Sequence, residues 1–150
     1  MSINTFFILA SASKSRTLIL KKINLNFKNI KPKCDESYYK KKFRYLKYSS
    51  EKISLELAKI KAKSVSVRKK ESLIIGSDTV INYNGKIIEK AKNIIKARKN
   101  IKKLSGKKHI IISSAVAYYK HKLIWSSSEK TTVKLRKLNT QDINKYLKMC

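Results

Sequence analysis

Glycine, proline, cysteine and acidic residues are all scarce in this chain of 150 residues. Three glycines and one proline are too few for a flexible linker or a disordered tail. The two cysteines, Cys34 and Cys150, lie far apart and outside any Cys-x-x-Cys pair. The sequence therefore argues against a disulfide framework and a zinc site, and it favours a reducing cytoplasm.

Long hydrophobic runs are also missing. The longest ones, around residues 6–10 and 110–119, fall short of the roughly 20 residues that a membrane-spanning helix needs. The small residues Ala10, Ser11 and Ala12 resemble a signal-peptide cleavage site, but no lysine or arginine precedes them and the apolar run before them is too short. We expect no membrane partner, no secretion and a cytoplasmic protein.

Negative charge is the third scarcity, with 9 acidic residues against 37 lysines and arginines and a formal net charge of +28. Such a chain attracts nucleic acid non-specifically at low salt through counterion release. The lysines are spread over every segment among Asn and Ile, a pattern typical of coding bias. Because carboxylates are so few, each one beside an apolar strand end becomes a candidate for chemistry.

With 42% hydrophobic residues, a chain of this length can form one domain with a sizeable core. The apolar patterns indicate a mixture of strands and helices, and hence an α/β or α+β sheet with a cleft. Strands are predicted at 6–9, 26–30, 73–76, 80–88 (two strands turning at Asn84 and Gly85), 109–118 and 123–135. Helices are predicted around 18–23, 53–65 and 94–104 and after residue 140, with Ser50 and Thr140 as caps, while 38–48 fits a loop or an irregular helix.

The segment 8–16 joins an apolar strand directly to a turn that is rich in serine and positive charge. Amide groups at the start of the following helix would be unpaired donors at the positive end of the helix dipole. Ser11, Ser13, Lys14 and Arg16 add hydroxyl groups and fixed charge, so the turn is a candidate phosphate site. The alternative is that the serines only cap the helix, as they usually do in such turns.

Three further places stand out from the lysine background: Asp35–Glu36, Asp78 and Lys90. Taken singly, each has a structural explanation: a solvated loop pair, a turn cap at a strand end, and one lysine among many. Taken together with the serine-rich turn, they match the needs of nucleotide hydrolysis. A divalent metal takes carboxylate and phosphate oxygens, a carboxylate activates water, and cations neutralise the leaving pyrophosphate.

A series of motifs along the chain agrees in order and spacing with the pattern of one known family. The motifs are Leu9–Ser13 with Arg16, Asp35–Glu36, Leu57–Ala58 with Lys61–Ala62, Ile75–Val80, Asn84–Lys90, and Leu104–Gly106 with His109. Through these motifs, nearly the whole chain resembles the Maf family, also called septum formation inhibitor Maf proteins, which are nucleoside triphosphate pyrophosphatases.

The resemblance implies an α/β fold like that of Maf and inosine triphosphate pyrophosphatases, in which helices flank a mixed sheet with a central cleft. It also implies cleavage of (d)NTP to (d)NMP and pyrophosphate, with Mg or Mn as cofactor, and thereby removal of non-standard or excess nucleotides. By position, Asp78 corresponds to the proton acceptor, and Ser11, Arg16, Glu36 and Lys90 correspond to phosphate- and metal-handling residues. We expect Asp78 and Glu36 to share the metal, and Lys90, Arg16, Lys14 and the turn of Ser11 and Ser13 to hold the triphosphate.

Two motifs depart from the family pattern. Where the family has Pro-Arg-Arg, this chain has Lys14-Ser15-Arg16 and so has one guanidinium fewer. Where the family has Glu-Lys-Pro, this chain has Glu89-Lys90-Ala91. The chain also ends where family members continue, which predicts a single Maf-like domain, residues 1–150, that lacks their C-terminal segment. The motif around Asp78 and Lys90 favours dTTP or UTP as substrate.

The alternative function is that of a non-catalytic Maf-like protein that binds nucleic acid or is linked to cell-division arrest. The sequence leaves open whether the chain forms a homodimer.

Overall fold

The computed structural model describes residues 5–149 and shows a mixed α/β fold. The strands are β1 (Phe7–Ala10), β2 (Phe27–Ile30), β3 (Ile74–Tyr83), β4 (Lys86–Ile88), β5 (Lys108–Tyr119) and β6 (Lys122–Lys134). The helices are α1 (Lys14–Lys22), α2 (Glu36–Tyr45), α3 (Ser50–Ser66), α4 (Ile94–Leu104) and α5 (Thr140–Lys148). The strands form a six-stranded sheet in the order β2-β1-β3-β5-β6, with β4 paired to β3. A mixed sheet with helices, as predicted, is confirmed.

Two compact units make up the chain: Met1–Thr79 with Ser113–Glu129, and Val80–Ile112 with Lys130–Cys150. The first unit contains β1, where the buried Ile8, Leu9 and Ala10 lie in a strand that pairs in parallel with both β2 and β3. Parallel strands in the interior of a sheet are covered on both faces, which explains the uninterrupted apolar run. This strand confirms the prediction from residues 6–9.

Helix α3 packs its apolar face against the sheet in the first unit. Its core cluster consists of Ile8, Ala10, Ala58, Ala62, Val65, Ile74, Val116 and Tyr118. The helix confirms the predicted apolar periodicity, but its N-cap is Ser49, whose side chain accepts a hydrogen bond from the Lys52 amide, and not Ser50. The small residues Ala58 and Ala62 let α3 approach β3 closely at Gly76.

Several local predictions in the first unit are wrong. The segment from 38 onward belongs to a regular helix, α2, which Asp35 caps by accepting a bond from the Tyr38 amide. Strand β3 runs without a break through Ser77, Asp78 and Thr79, so Asp78 lies within a strand and not at a strand end. Helix α1 forms as predicted, but its apolar residues Leu18 and Ile19 and its C-cap residue Ile23 are exposed.

Turns with positive φ connect both predicted hairpins. Asn84 and Gly85, with φ of 50° and 75°, join β3 to β4 in the second unit. Lys120 and His121, with φ of 47° and 65°, join β5 to its sheet neighbour β6 in the first. Two consecutive residues with positive φ are the conformation that two-residue hairpins favour, and the Asn-Gly pair is its common sequence signal.

The second unit is held by the packing of α4 against α5. Leu104 of α4 and Ile143 and Leu147 of α5 are its buried aliphatic residues on these helices. The predicted cap Thr140 is wrong, because Asn139 caps α5 through a reciprocal pair of bonds with Asp142. Among residues 5–149, no helix combines the length and apolar character needed to cross a membrane.

Replacing Asn139 with Ala is expected to lower the free energy of unfolding by about 1 kcal/mol, the usual effect of losing an N-cap. Thr140→Ala is the matched control and should change it far less, because Thr140 is only the first residue of the helix. Urea denaturation of the two variants measures the difference. Equal destabilisation would contradict the assignment of Asn139 as the cap.

Candidate active site

The turn between β1 and α1 is built around two serine hydroxyl groups. Ser11 is buried, and its Oγ accepts a bond from the Ser13 amide at 3.1 Å. Ser13 caps α1, and its Oγ accepts from the Arg16 amide at 3.4 Å. The amides of Ser13 and Arg16 therefore already have hydroxyl partners, so the expectation of open amide donors is wrong for these two. Ser13 caps the helix, while Ser11 Oγ accepts bonds from the Ser13 amide and from Arg16. A role of the two hydroxyl groups toward phosphate stays a prediction, and the charge of the turn comes from side chains.

Arg16 is the cation that this turn holds in place. Its Nη1 donates to Ser11 Oγ at 3.2 Å and its Nη2 donates to Thr79 Oγ1 at 3.3 Å. Both acceptors are neutral hydroxyl groups. Burial lowers the pKa of Arg16, while the negative charges of Asp78 and Glu36 oppose that shift. The result is a half-buried guanidinium whose charge is not cancelled by a direct carboxylate partner in the bonds described here.

The two predicted carboxylates meet at a lysine. Lys61 Nζ donates to Asp78 Oδ1 at 2.6 Å and forms an ion pair with Glu36 Oε1 at 3.1 Å. Asp78 comes from β3, Glu36 from the first turn of α2, and Lys61 from α3. The first unit thus brings Asp78 and Glu36 together at Lys61, as predicted. Asp35, the sequence neighbour of Glu36, has a different role, because its carboxylate caps α2.

Asp78 is the most buried of these charges, with 4% of its surface exposed. Its backbone carbonyl accepts a bond from Ser54 Oγ, which fixes β3 against α3. Its Oδ2 is buried and has no hydrogen-bond partner among the described residues. Burial raises the pKa of Asp78, Lys61 lowers it, and Glu36 raises it further. A carboxylate oxygen that is desolvated and unbonded can accept a proton or contact a cation.

Lys61 is the functional residue that sequence reasoning missed. Its motif contributed to the family resemblance, but no role was predicted for it among so many lysines. The available signal was its position: it lies on the buried stripe of α3 with Leu57, Ala58, Ala62 and Val65. A lysine on the apolar face of an amphipathic helix needs a buried partner, because an unpaired charge there is costly.

The other predicted residues have plainer surroundings. Lys14 is the exposed first residue of α1, beside the turn. Lys90 is exposed in the second unit, in the loop between β4 and α4. A role of Lys14 and Lys90 toward phosphate stays a prediction. Ser11, Arg16, Glu36 and Asp78 lie in the first unit, where Thr79 also contacts Arg16.

This arrangement combines a buried carboxylate, a second carboxylate, two cations and a hydroxyl-lined turn. Such a set can bind a polyanion through its cations and can take a proton from water at Asp78. The fold and the cluster together define a mixed α/β protein with a candidate anion site at the end of its first strand.

The chain belongs to the Maf-like protein family, whose family model matches residues 6–149. It is 32% identical over 94% of its length to a nucleoside triphosphate pyrophosphatase of Pelagibacter ubique, and it covers 72% of that protein. It is 38% identical over 93% of its length to a dTTP/UTP pyrophosphatase of Clostridium novyi, of which it also covers 72%. It is 34% identical to a 7-methyl-GTP pyrophosphatase of Bartonella henselae, with 93% of this chain and 70% of that one covered.

Among solved structures, the Ham1 protein of Staphylococcus aureus matches with a TM-score of 0.49 and 14% identity over 86% of this chain and 70% of that one. This likeness is too weak to support an argument. The predicted family is confirmed by the family model and the relatives.

Proposed function

We propose that the chain hydrolyses nucleoside triphosphates to nucleoside monophosphates and pyrophosphate. One observation carries the proposal: in a member of the Maf-like family, the carboxylate of Asp78, with one unbonded oxygen, contacts Lys61, which also pairs with Glu36, and both carboxylates interact electrostatically with Arg16. A relative that bears the name nucleoside triphosphate pyrophosphatase is 32% identical over 94% of this chain, and the family model matches residues 6–149. A non-catalytic role in nucleic-acid binding is the less favoured alternative, because it has no use for a buried carboxylate.

The proposed reaction is attack of water on the α-phosphorus. Asp78 takes one proton from the water, the new P–O bond forms, and the bond from the α-phosphorus to the α,β-bridging oxygen breaks. The bridging oxygen leaves with pyrophosphate. The burial that raises the pKa of Asp78 makes it a better base than a solvated carboxylate, while the charge of Lys61 opposes that rise and favours the ionised form.

A divalent cation, Mg or Mn, is the proposed cofactor. Hard carboxylate oxygens suit both ions, and the buried Oδ2 of Asp78, which has no hydrogen-bond partner among the described residues, is available to a cation. Residues 5–149 contain no group of three or more potential metal ligands. This fits a cation that is held by one or two carboxylates and by substrate phosphates. Asp78 and Glu36 would hold it, and it would neutralise charge on the phosphates when bound.

Binding of the triphosphate is assigned to the cations. Arg16 can present its remaining N–H groups to phosphate oxygens, because its described bonds use only Ser11 and Thr79 as acceptors. We propose that Lys14 adds charge at the turn and that Lys90 neutralises the pyrophosphate as it leaves. We also propose a preference for dTTP or UTP, because relatives of that name have 33% and 38% identity, beside a 7-methyl-GTP pyrophosphatase at 34%.

The test measures pyrophosphate release by the purified chain with dTTP, UTP, 7-methyl-GTP and the other common triphosphates. Turnover should require Mg or Mn and should stop when EDTA is added. In ¹⁸O-labelled water, the label should enter the monophosphate, because attack occurs at the α-phosphorus. Label in pyrophosphate would contradict the proposed bond cleavage. Absence of turnover together with salt-sensitive DNA or RNA binding would favour the non-catalytic alternative.

The pH profile of a Lys61 variant tests the electrostatic role of that residue. Asp78 must be ionised to accept a proton, so kcat/KM falls below its pKa. Lys61→Met removes the charge that lowers this pKa, so the acid limb of the profile should move to higher pH, by about one unit or more. Lys59→Met is the matched control, because Lys59 pairs with Glu56 on the same helix. An unmoved acid limb in Lys61→Met would contradict the assignment.

A further inference from the structure

Thr79 and Ser113 form a hydroxyl pair that the proposed mechanism does not use. They belong to the neighbouring strands β3 and β5, and their oxygens Oγ1 and Oγ lie 3.1 Å apart. Both side chains are exposed, so burial does not explain the pair. Thr79 directly follows Asp78, and side chains alternate between the two faces of a strand. Asp78 therefore points to the face where Lys61 binds it, and Thr79 points to the opposite face.

A second hydrogen bond of Thr79 limits where its hydroxyl proton can point. Thr79 Oγ1 accepts a bond from Arg16 Nη2 at 3.3 Å. A guanidinium has no acceptor, so the proton of the Thr79 hydroxyl must turn elsewhere. Ser113 Oγ, 3.1 Å away, is one acceptor within reach, and either hydroxyl group of the pair can be the donor. When Thr79 donates to Ser113, its oxygen becomes a better acceptor for Arg16, because chained hydrogen bonds polarise one another.

We propose that Ser113 is a positioning residue that acts on Arg16 through the Thr79 hydroxyl. Ser113 fixes the rotamer of Thr79, and Thr79 fixes one side of the guanidinium while Ser11 fixes the other at 3.2 Å. The chain Ser113–Thr79–Arg16–Ser11 thereby orients the guanidinium plane before any phosphate arrives.

Neutral acceptors suit this purpose. A carboxylate partner would hold Arg16 more strongly, but it would also cancel the charge that a phosphate needs. Two hydroxyl groups restrict the side chain without neutralising it. An arginine side chain otherwise loses much rotamer freedom when it binds a ligand, so prior restriction favours binding.

The first experiment does not depend on catalysis. In the ligand-free protein, ¹⁵N relaxation of the Arg16 Nε–H group reports the order of its side chain on the ps–ns timescale. Its signal is assigned by its disappearance in Arg16→Lys. Ser113→Ala should lower the order parameter, Ser113→Thr should keep it near the wild-type value, and Ser126→Ala, an exposed serine of β6, should leave it unchanged. An Arg16 order parameter that is the same in Ser113→Ala and wild type would overturn the proposal.

The second experiment rests on the proposed function and uses kinetics. Loss of one neutral hydrogen bond should lower kcat/KM by about 5-fold in Ser113→Ala, and Ser113→Thr should restore it. In the Arg16→Lys background, the same Ser113→Ala change should have almost no effect, because its target is gone. An equal loss in both backgrounds would show that Ser113 acts otherwise than through Arg16 and would overturn the proposal. A wild-type protein without turnover would count against the proposed function, while the relaxation result would still decide the role of Ser113.

Discussion

Asp78→Asn is expected to lower the rate of pyrophosphate release by about 10²–10⁴-fold, the usual loss when a general base is removed. Asn has the shape of Asp and can still accept the Lys61 bond at the Oδ1 position. It cannot take a proton from water, and it gives a cation a weaker ligand. Steady-state kinetics at saturating substrate and metal measures the loss, and thermal unfolding checks that the variant is folded.

Asp35→Asn is the control for this substitution. Asp35 is another carboxylate of the first unit, next to Glu36, but it caps α2 and has no bond to Lys61 in the structure. Asn is an equally good N-cap, so this variant should keep both its stability and its turnover. Comparable activity in Asp78→Asn and the wild type would show that another group accepts the proton.

Much of the fold was predictable because its signals are local. The apolar run of β1, the periodicity of α3 and the Asn84–Gly85 turn each reflect the conformation of a few consecutive residues. The cap of α5 shows the limit of such signals. Asn139 and Thr140 are adjacent and both are good capping residues, and only the reciprocal bonds with Asp142 distinguish them.

The break that was predicted at Ser77, Asp78 and Thr79 has a different origin. Three polar residues in a row are typical of a turn. In the structure they continue β3, because the polar groups of two of them have partners on other elements. Asp78 binds Lys61 of α3, and Thr79 binds Arg16 of α1. Such tertiary partners override local propensity and are invisible in a single segment.

The sequence predicted which residues form the candidate site, but it did not predict the contacts that join them. Family resemblance identified Ser11, Arg16, Glu36 and Asp78, which the first unit brings together. It did not identify what holds them. Lys61 joins the two carboxylates, and the Thr79–Ser113 pair lies beside Arg16. Residues of this kind can be recognised only from their contacts in the structure, because lysine, threonine and serine are too common for their type alone to indicate a role.

Gly76→Ala is expected to destabilise the protein strongly, by about 3 kcal/mol. An ideal Cβ at Gly76 would lie 2.3 Å from the backbone oxygen of Ala58, 2.7 Å from Ala62 Cβ and 2.9 Å from the Ala62 amide nitrogen. Backbone atoms of α3 cannot move aside as a flexible side chain can, so β3 and α3 must separate. Urea denaturation measures the loss of stability.

The same separation should affect the site, because Asp78 lies two residues after Gly76 on β3, and Lys61 lies between Ala58 and Ala62 on α3. Turnover per folded molecule should therefore fall in Gly76→Ala as well. Gly85→Ala is the contrasting variant: its Cβ meets nothing within 4 Å, and its cost comes from a φ of +75° alone, so it should lose about 1 kcal/mol with unchanged turnover.

In a double-mutant cycle, Gly76→Ala with Ala62→Gly should lose less stability than the sum of the two single changes, because one of the clashing atoms is gone. If Gly76→Ala were no more destabilising than Gly85→Ala, close packing of β3 on α3 would not be what positions Asp78 against Lys61.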